Sequence, residues 1–328
     1  MRKVLYSPIL KFKKGEQDAL KGLSDSTKDV IIPVLEITSD HNLGKIQGQI
    51  EACWNNRMYY FDVAEELYDT YFQLLNDCDS SYVIPVLNLD DDIETISQAL
   101  QYAQNGIALR IFSTDYDRVN STLEELISKN IIQADNTDII VDLQKISPNK
   151  EEKGMILSSL LLEIPNIKDF RSIIISSNSF PEDFSSINTN SSSAFPRDEE
   201  YIHRRSLVMS ERLGFNYIYS DYGPSGLEVV EFVPGMSPAF KIKYSTETSY
   251  ICYKGMSGKK QGMNIDNVQP LCEDLVSSGA YSGENFSVGD AYIYSIYTRE
   301  AQTAGNPTTW VQVAQNHHIE LIISFLSN

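Results

Sequence analysis

Continuous apolar runs of strand length recur along this chain, each bounded by polar or turn-forming residues. They are KVLYSPIL (3–10), VIIPVLEI (30–37), MYYFDV (58–63), YVIPVLNL (82–89), GIALRIF (106–112), DIIVDL (138–143), RSIIISS (171–177) and NYIYSDY (216–222). Most are unbroken rather than alternating, which predicts strands covered on both faces. Two of them carry the same Ile-Pro-Val-Leu core, at 32–35 and 84–87, each followed by a polar side chain, Glu36 or Asn88.

Between these runs the apolar spacing becomes helical. Helices are expected over KGEQDALKGL (14–23), LGKIQGQIEACW (43–54), AEELYDTYFQLLN (64–76), DDDIETISQALQYAQNG (90–106), DYDRVNSTLEELISKN (115–130), SPNKEEKGMILSSLLLEI (147–164) and RDEEYIHRRSLVMSERLG (197–214). Asp90 is the expected cap of the fourth, and Ser147 with Pro148 the expected start of the sixth. Eight strands alternating with helices predict an α/β fold, a single (β/α)8 TIM-like barrel over 1–328. An open doubly wound sheet is the alternative, weakened because no G-x-G-x-x-G follows the first strand.

Two segments interrupt the alternation. Residues 177–198 form a long Ser/Asn-rich stretch, expected as a lid-like or mobile loop after strand seven, with anchored Phe-Pro flanks. Residues 227–300 are expected as an insertion after strand eight. Its part 227–255 reads as a β-hairpin, with alternation in FKIKY and SYICY, followed by helices near 264–278 and 287–301. The last part of the chain is apolar at helical spacing and suits a final barrel helix.

A parallel barrel brings its strand ends to one mouth, where barrel enzymes keep their active sites. The strand ends here supply Lys11, Glu36, Asp62, Asn88, Arg110, Asp142, Ser176 and Asp221. Strand ends also turn polar simply on reaching water, so the pattern has a purely structural explanation beside the functional one.

Composition narrows the classes. The chain has 328 residues, 42% hydrophobic and 22% charged, and a net charge of −18, with no lysine or arginine cluster. Duplex nucleic-acid binding, which needs phosphate-neutralising side chains on one face, is therefore not expected. No apolar run is long enough for a membrane span. The basic start MRKVLYSPILKFKKGEQ turns charged at once and is not read as a signal peptide. Cys53, Cys78, Cys252 and Cys272 are scattered, with no C-x-x-C pair, as expected of free thiols in a cytoplasmic protein.

Several chemistries stay open for the rim. Glu36, Asp62, Asp142 and Asp221 could converge to hold a divalent cation, or two of them could do acid–base work. Lys11 and Arg110 in the same ring could instead pair with them, as a ligand pocket or a structural belt. His317 and His318 project about 100° apart on a helix, so they cannot share one ligand face. One could reach the mouth; otherwise Asn316 caps a helix there and the rings pack. Arg197, Tyr201, Arg204 and Arg205 in RDEEYIHRR could hold an anion, or form a solvated, salt-bridged face. No G-x-S-x-G elbow or phosphate-cradling loop occurs.

The opening YSPILKFKKGEQDALKGL with IIPVLEI, then ALRI, IIVDL, SSNSFP, RDEEYIHRR leading to IYSDYGP, and finally GNPTTW and NHHI, resembles the Beta protein family over nearly the whole chain. The matching positions include Lys11, Glu16, Glu36, Asp62, Arg110, Asp142, Ser177, Phe180, Pro181, Arg197, Glu199, Asp221, Gly223, Trp310, Asn316, His317 and His318; Tyr201 departs from the tryptophan expected there. Members occur in phages, satellite prophages and bacterial mobile regions, some beside a Gop-type protein. The resemblance therefore implies a role in phage defence or a toxin–antitoxin-like cassette, with a neighbour-encoded partner. The expected activity is binding of a small anionic ligand or a protein segment at the barrel mouth. Lys11, Arg110, Arg197 and Trp310 are the expected ligand-binding residues, and Glu36, Asp62, Asp142, Asp221, His317 and His318 the catalytic candidates should the protein act as a metal-assisted or carboxylate-based hydrolase. No cofactor is expected, a divalent cation being the open case.

Overall fold

The structure, a computed structural model, describes residues 3–38, 41–102, 104–227 and 238–327. The sequence reading treats 1–328 as one domain; spatial proximity gathers the chain into two compact units. One comprises Met1–Phe12, Asp29–Ser179 and Asp198–Tyr222, the other Lys13–Lys28, Phe180–Arg197 and Gly223–Asn328.

The first unit is built on the eight expected strands: β1 (Ile9–Leu10), β2 (Val34–Ile37), β3 (Tyr59–Val63), β4 (Val83–Asn88), β5 (Ile107–Phe112), β6 (Thr137–Lys145) and β7 (Ser172–Asn178), with β9 (Tyr217–Asp221) last. They pair in parallel, in that order, in one sheet. An isolated parallel bridge joins Tyr6, just before β1, to Tyr219 of β9. The amide of Ser7 donates to the Tyr219 carbonyl at 2.8 Å, and that of Tyr219 to Leu5 at 3.2 Å. The two edges thus meet, and the sheet is a nearly closed parallel eight-stranded barrel. The continuous apolar runs have their explanation here, since Ile139–Val141 and Ile173–Ile175 are buried on both faces.

The N-terminal end of the barrel is plugged by charge. Asp138, 1% exposed, accepts from Tyr60 Oη across the barrel at 2.6 Å, from Arg171 Nε at 2.9 Å and from Ser172 Oγ. This end of such barrels serves stability.

Helix starts differ in detail from expectation. The fourth helix is Ile93–Ala99, capped by Asp92 rather than Asp90, whose carboxylate accepts from the Thr95 amide at 2.7 Å. The sixth is Lys150–Glu163, starting after Asn149 rather than at Pro148.

The second unit contains a three-stranded antiparallel sheet. The hairpin expected over 227–255 is present as β10 (Ala239–Ser245) and β11 (Ser249–Ser257), while 228–237 lie outside the described residues. The third strand is β8 (Ser191–Pro196), inside the stretch expected to be a mobile loop; it pairs with β11, setting Phe195 opposite Tyr250. Serine-rich sequence has weak strand preference, and cross-strand pairing overrides it. Helices Ile265–Ser277, Val288–Tyr297 and Pro307–Leu326 belong to this unit. All four cysteines are free thiols. No described helix is long and apolar enough to cross a membrane.

Candidate functional site

Pairing register fixes which side chains share a face. Glu36 lies beside Asp62, Asn88 beside Arg110, Phe112 beside Asp142, and Asp142 beside Ser176. Ser176 in turn lies beside Ser220. Strand alternation then puts Tyr222, two residues on, on that same face, while Asp221 falls on the opposite one. All these residues lie at the C-terminal ends of their strands.

Arg110 stands at the centre of this group, its side chain 7% exposed. Its Nε donates to Asp142 Oδ2 at 3.1 Å, and Nη2 to the same oxygen at 2.6 Å and to Tyr222 Oη at 2.7 Å. Nη1 donates to Asp62 and lies 3.7 Å from Glu36 Oε1. Tyr222 Oη in turn donates a hydrogen bond to Asp142. The guanidinium also lies 5.3 Å from the Phe112 ring centroid. An arginine has five N–H donors in a rigid fork, and four of these bonds are already made within the cluster.

The mouth is held from below and behind. Asp91 and Asp115, from the segments after β4 and β5, accept from the amides of Asn88 at 2.8 Å and Phe112 at 2.7 Å. In β6 the pairing register shifts after Asp142, and Gln144 adopts φ 54°. Its amide donates to Asp142 Oδ1 at 2.9 Å. A bulge that re-aims a carboxylate beside a cluster of this kind is a common device at functional mouths.

Burial raises the Asp62 carboxyl, Arg110 pulls it down and Glu36 pushes it up, and the balance lies at about 6. Burial likewise drives the Tyr222 phenol well up, against Arg110 and with Asp142, so it stays a neutral donor. Burial on its own would lower the Arg110 guanidinium, but Tyr222 and the three carboxylates around it raise it well above its usual range.

The Asp62 shift has a measurable sign. The folded protein binds this proton more tightly than the unfolded chain, so stability falls as pH rises from the unfolded value of 3.8 through about 6. The difference between pH 4 and pH 7 is worth up to about 3 kcal/mol at 1.36 kcal/mol per pH unit. Urea unfolding across this window is expected to show that slope in the wild type and to lose it in Asp62→Asn.

Two members of the ring are not committed. Ser176 Oγ is buried, at 0% exposure, and finds no hydrogen-bond partner among the described residues. Glu36 touches Arg110 only at 3.7 Å and is 20% exposed. Asn88, half-buried, presents its side chain from the same face.

The remaining expected site residues, Lys11 apart, lie elsewhere. Lys11 follows β1, where the register that sets Ile9 beside Val34 carries it level with Glu36. Asp221 is buried and accepts from Tyr6 Oη at 2.5 Å and Tyr219 Oη at 2.8 Å, both away from Arg110. Glu199 accepts from the Ser179 amide at 2.6 Å, so RDEE serves to tether the end of β7 to the following helix. Arg197, 2% exposed, donates to the Thr246 carbonyl at 3.0 Å within the second unit.

Trp310 packs edge-on against Phe240 and Tyr292 in the core of that unit, its Nε1 donating to Ala304 at 2.8 Å. His317 and His318 sit in the middle of helix Pro307–Leu326, which is capped by Asn306, not Asn316. His317 is bound at 2.8 Å to Asp290 and at 2.9 Å to the Ser245 carbonyl. His318 meets Ser245 Oγ at 2.8 Å.

Among the described residues no group of three His, Cys, Asp or Glu side chains is arranged to hold a metal ion. The acids of the mouth converge on a guanidinium instead. Tyr222 is the residue sequence reading overlooked. The signal was strand parity one residue beyond Asp221, invisible where both faces of a strand are apolar.

A family model described as Beta protein matches residues 6–324. No curated protein matches the chain.

Proposed function

This chain belongs to the Beta protein family, and on that premise we propose that its barrel is a TIM-like (β/α)8 fold whose mouth binds a small, hydroxyl-bearing ligand. The observation that carries this reading is Ser176. A buried hydroxyl without a partner costs about 1–3 kcal/mol, and this one lies beside Asp142 on the face that also presents Glu36 and Asn88. An incoming ligand hydroxyl would satisfy it.

Charge argues for the same ligand class. Three carboxylates face one guanidinium, which already makes four hydrogen bonds to Asp62, Asp142 and Tyr222. A mouth of that charge disfavours the anion first expected there and favours a ligand that donates hydrogen bonds. The setting, a phage or mobile-element conflict with a neighbour-encoded protein, is what the family resemblance implies, and it enters as part of the proposal.

The test is calorimetric titration with D-glucose, D-ribose and myo-inositol, and with inorganic phosphate as the anionic arm. Heat is expected with a polyol, weakened at least about tenfold, some 1.4 kcal/mol, in Glu36→Gln and in Ser176→Ala. Ser176→Ala is also expected to stabilise the free protein by about 1 kcal/mol, because it removes an unpaired polar group. Phosphate binding that disappears in Lys11→Ala would restore the anion reading. Silence in every arm would leave the mouth a structural belt.

A carboxylate-based hydrolase is the second reading, favoured by Asp62, whose carboxyl is raised to about 6 beside Glu36. Under it Asp62 protonates the leaving-group oxygen and Glu36 takes a proton from the attacking water. Turnover of p-nitrophenyl glycosides lost in both Asp62→Asn and Glu36→Gln would establish it.

A further inference from the structure

Six large apolar side chains are exposed among the described residues, and four of them stand on two neighbouring helices of the first unit. Met155 and Leu162 lie on helix Lys150–Glu163, Leu207 and Val208 on helix Glu199–Leu213. Apolar residues scattered singly need no explanation, but a cluster does. The first helix is apolar on two sides. Leu157, Leu160 and Leu161 are buried beneath it, while Met155 and Leu162, two turns apart on one stripe, are 59% and 58% exposed. A helix apolar on both sides is normally covered on both.

The two helices are locked together. A side-chain carbon at Gly154 would lie 2.8 Å from the Tyr201 ring, and Arg205 Nε donates across to Ser158 Oγ at 2.8 Å. Both contacts join positions 47 apart, so the helices run the same way. That offset sets Val208, 64% exposed, level with Leu161 and beside Leu162, and Arg212 one turn further on. Charge follows the same axis: Glu151 and Glu152 open the first helix, and Arg212 stands in the last turn of the second. Neighbouring charges are paired, Lys150 with Asp198 and Arg204 with Glu200. Glu151, Glu152 and Arg212 are exposed and, among the described residues, in no ion pair.

We infer that this face binds a second copy of the chain across a two-fold axis passing at the level of Ser158 and Ser159. Met155 and Leu162 lie about 5 Å to either side of that level, at 1.5 Å of rise per residue. The acidic pair and Arg212 lie about 10 Å to either side of it. A two-fold rotation reverses the helices. It sets Met155 against Leu162 and Val208 of the second copy, and Glu151 and Glu152 against its Arg212, and each contact occurs twice. The face is therefore complementary to itself in its apolar and its charged positions at once, and the reversed helix dipoles add to the fit. Two copies of net charge −18 repel in most orientations; in this one acid meets base.

The experiment is sedimentation equilibrium of the whole protein at about 50 μM, where a dissociation constant of about 1 μM makes most of it run at twice the mass of one chain. Leu162→Glu should raise that constant at least about hundredfold, because each dimer then carries two uncompensated carboxylates in its seam. Arg212→Glu should raise it about tenfold, and adding Glu151→Arg and Glu152→Arg to that variant should restore it. All four positions are exposed, so the variants are expected to stay folded, which circular dichroism checks. A wild type of single-chain mass at this concentration overturns the inference. So does a dimer that withstands Leu162→Glu, or a charge exchange without rescue.

Discussion

Replacing Arg110 with methionine is expected to lower the unfolding free energy by about 3–5 kcal/mol at neutral pH, the usual cost of breaking a buried ion pair from one side. The reason is what stays behind. Among the described residues Asp142, 0% exposed, keeps only Tyr222 and the Gln144 amide as donors, while Asp62 and Glu36 face each other without the cation between them. The deficit should shrink as pH falls, because without Arg110 to hold it down the Asp62 carboxyl takes up its proton more readily than in the wild type and the uncompensated charge disappears. Arg110→Lys should lose less, since it restores the charge, but not recover fully, since an ammonium cannot hold Asp62, Asp142 and Tyr222 at once. Urea midpoints at pH 7 and pH 5 read all three. If Arg110→Met unfolds at the wild-type midpoint at both pH values, the cluster is not what organises the mouth.

The barrel was legible because its strands are buried on both faces and so appear as continuous apolar runs, which solvent-facing strands would not. Every one of the eight runs carries a barrel strand. The meeting of Glu36, Asp62, Asn88, Arg110, Asp142 and Ser176 was legible for the same reason: parallel strands end together. Parity was not. A strand apolar on both sides gives no sign of which residue points inward, so the sequence alone does not separate Asp221 from Tyr222, the one that reaches Arg110.

The second unit was harder to read for a different reason. Ser191–Pro196 becomes a strand by pairing with Tyr250 and its neighbours, more than fifty residues away, and nothing local in a run of serines encodes that. Likewise the adjacent histidines signal chemistry by residue type, while the groups that determine their role, Asp290 and Ser245, lie far along the chain.

Those histidines supply the other large expected effect. His317→Ala should destabilise the protein by about 3–5 kcal/mol, yet leave ligand binding at the barrel mouth unchanged under conditions where the variant is folded. His317 and Asp290 are both 0% exposed. Ring atom Nε2 faces the Ser245 carbonyl, which only accepts, so that nitrogen carries a proton; Nδ1 faces the Asp290 carboxylate. Asp290 also accepts from Tyr244 Oη at 2.8 Å and from Ser287 Oγ at 2.5 Å, and Tyr244 stacks on the imidazole at 3.9 Å between centroids. Truncation removes a carboxylate's partner, strands a buried carbonyl and opens a void beneath a tyrosine, and the three costs fall on one spot. Ser287→Ala, which removes one donor to Asp290 and the cap of helix Val288–Tyr297 but no ring, should cost about 2 kcal/mol. Denaturation midpoints give the first comparison, and polyol titration of folded His317→Ala gives the second. A variant as stable as the wild type that no longer binds at the mouth would return His317 to the list of site residues.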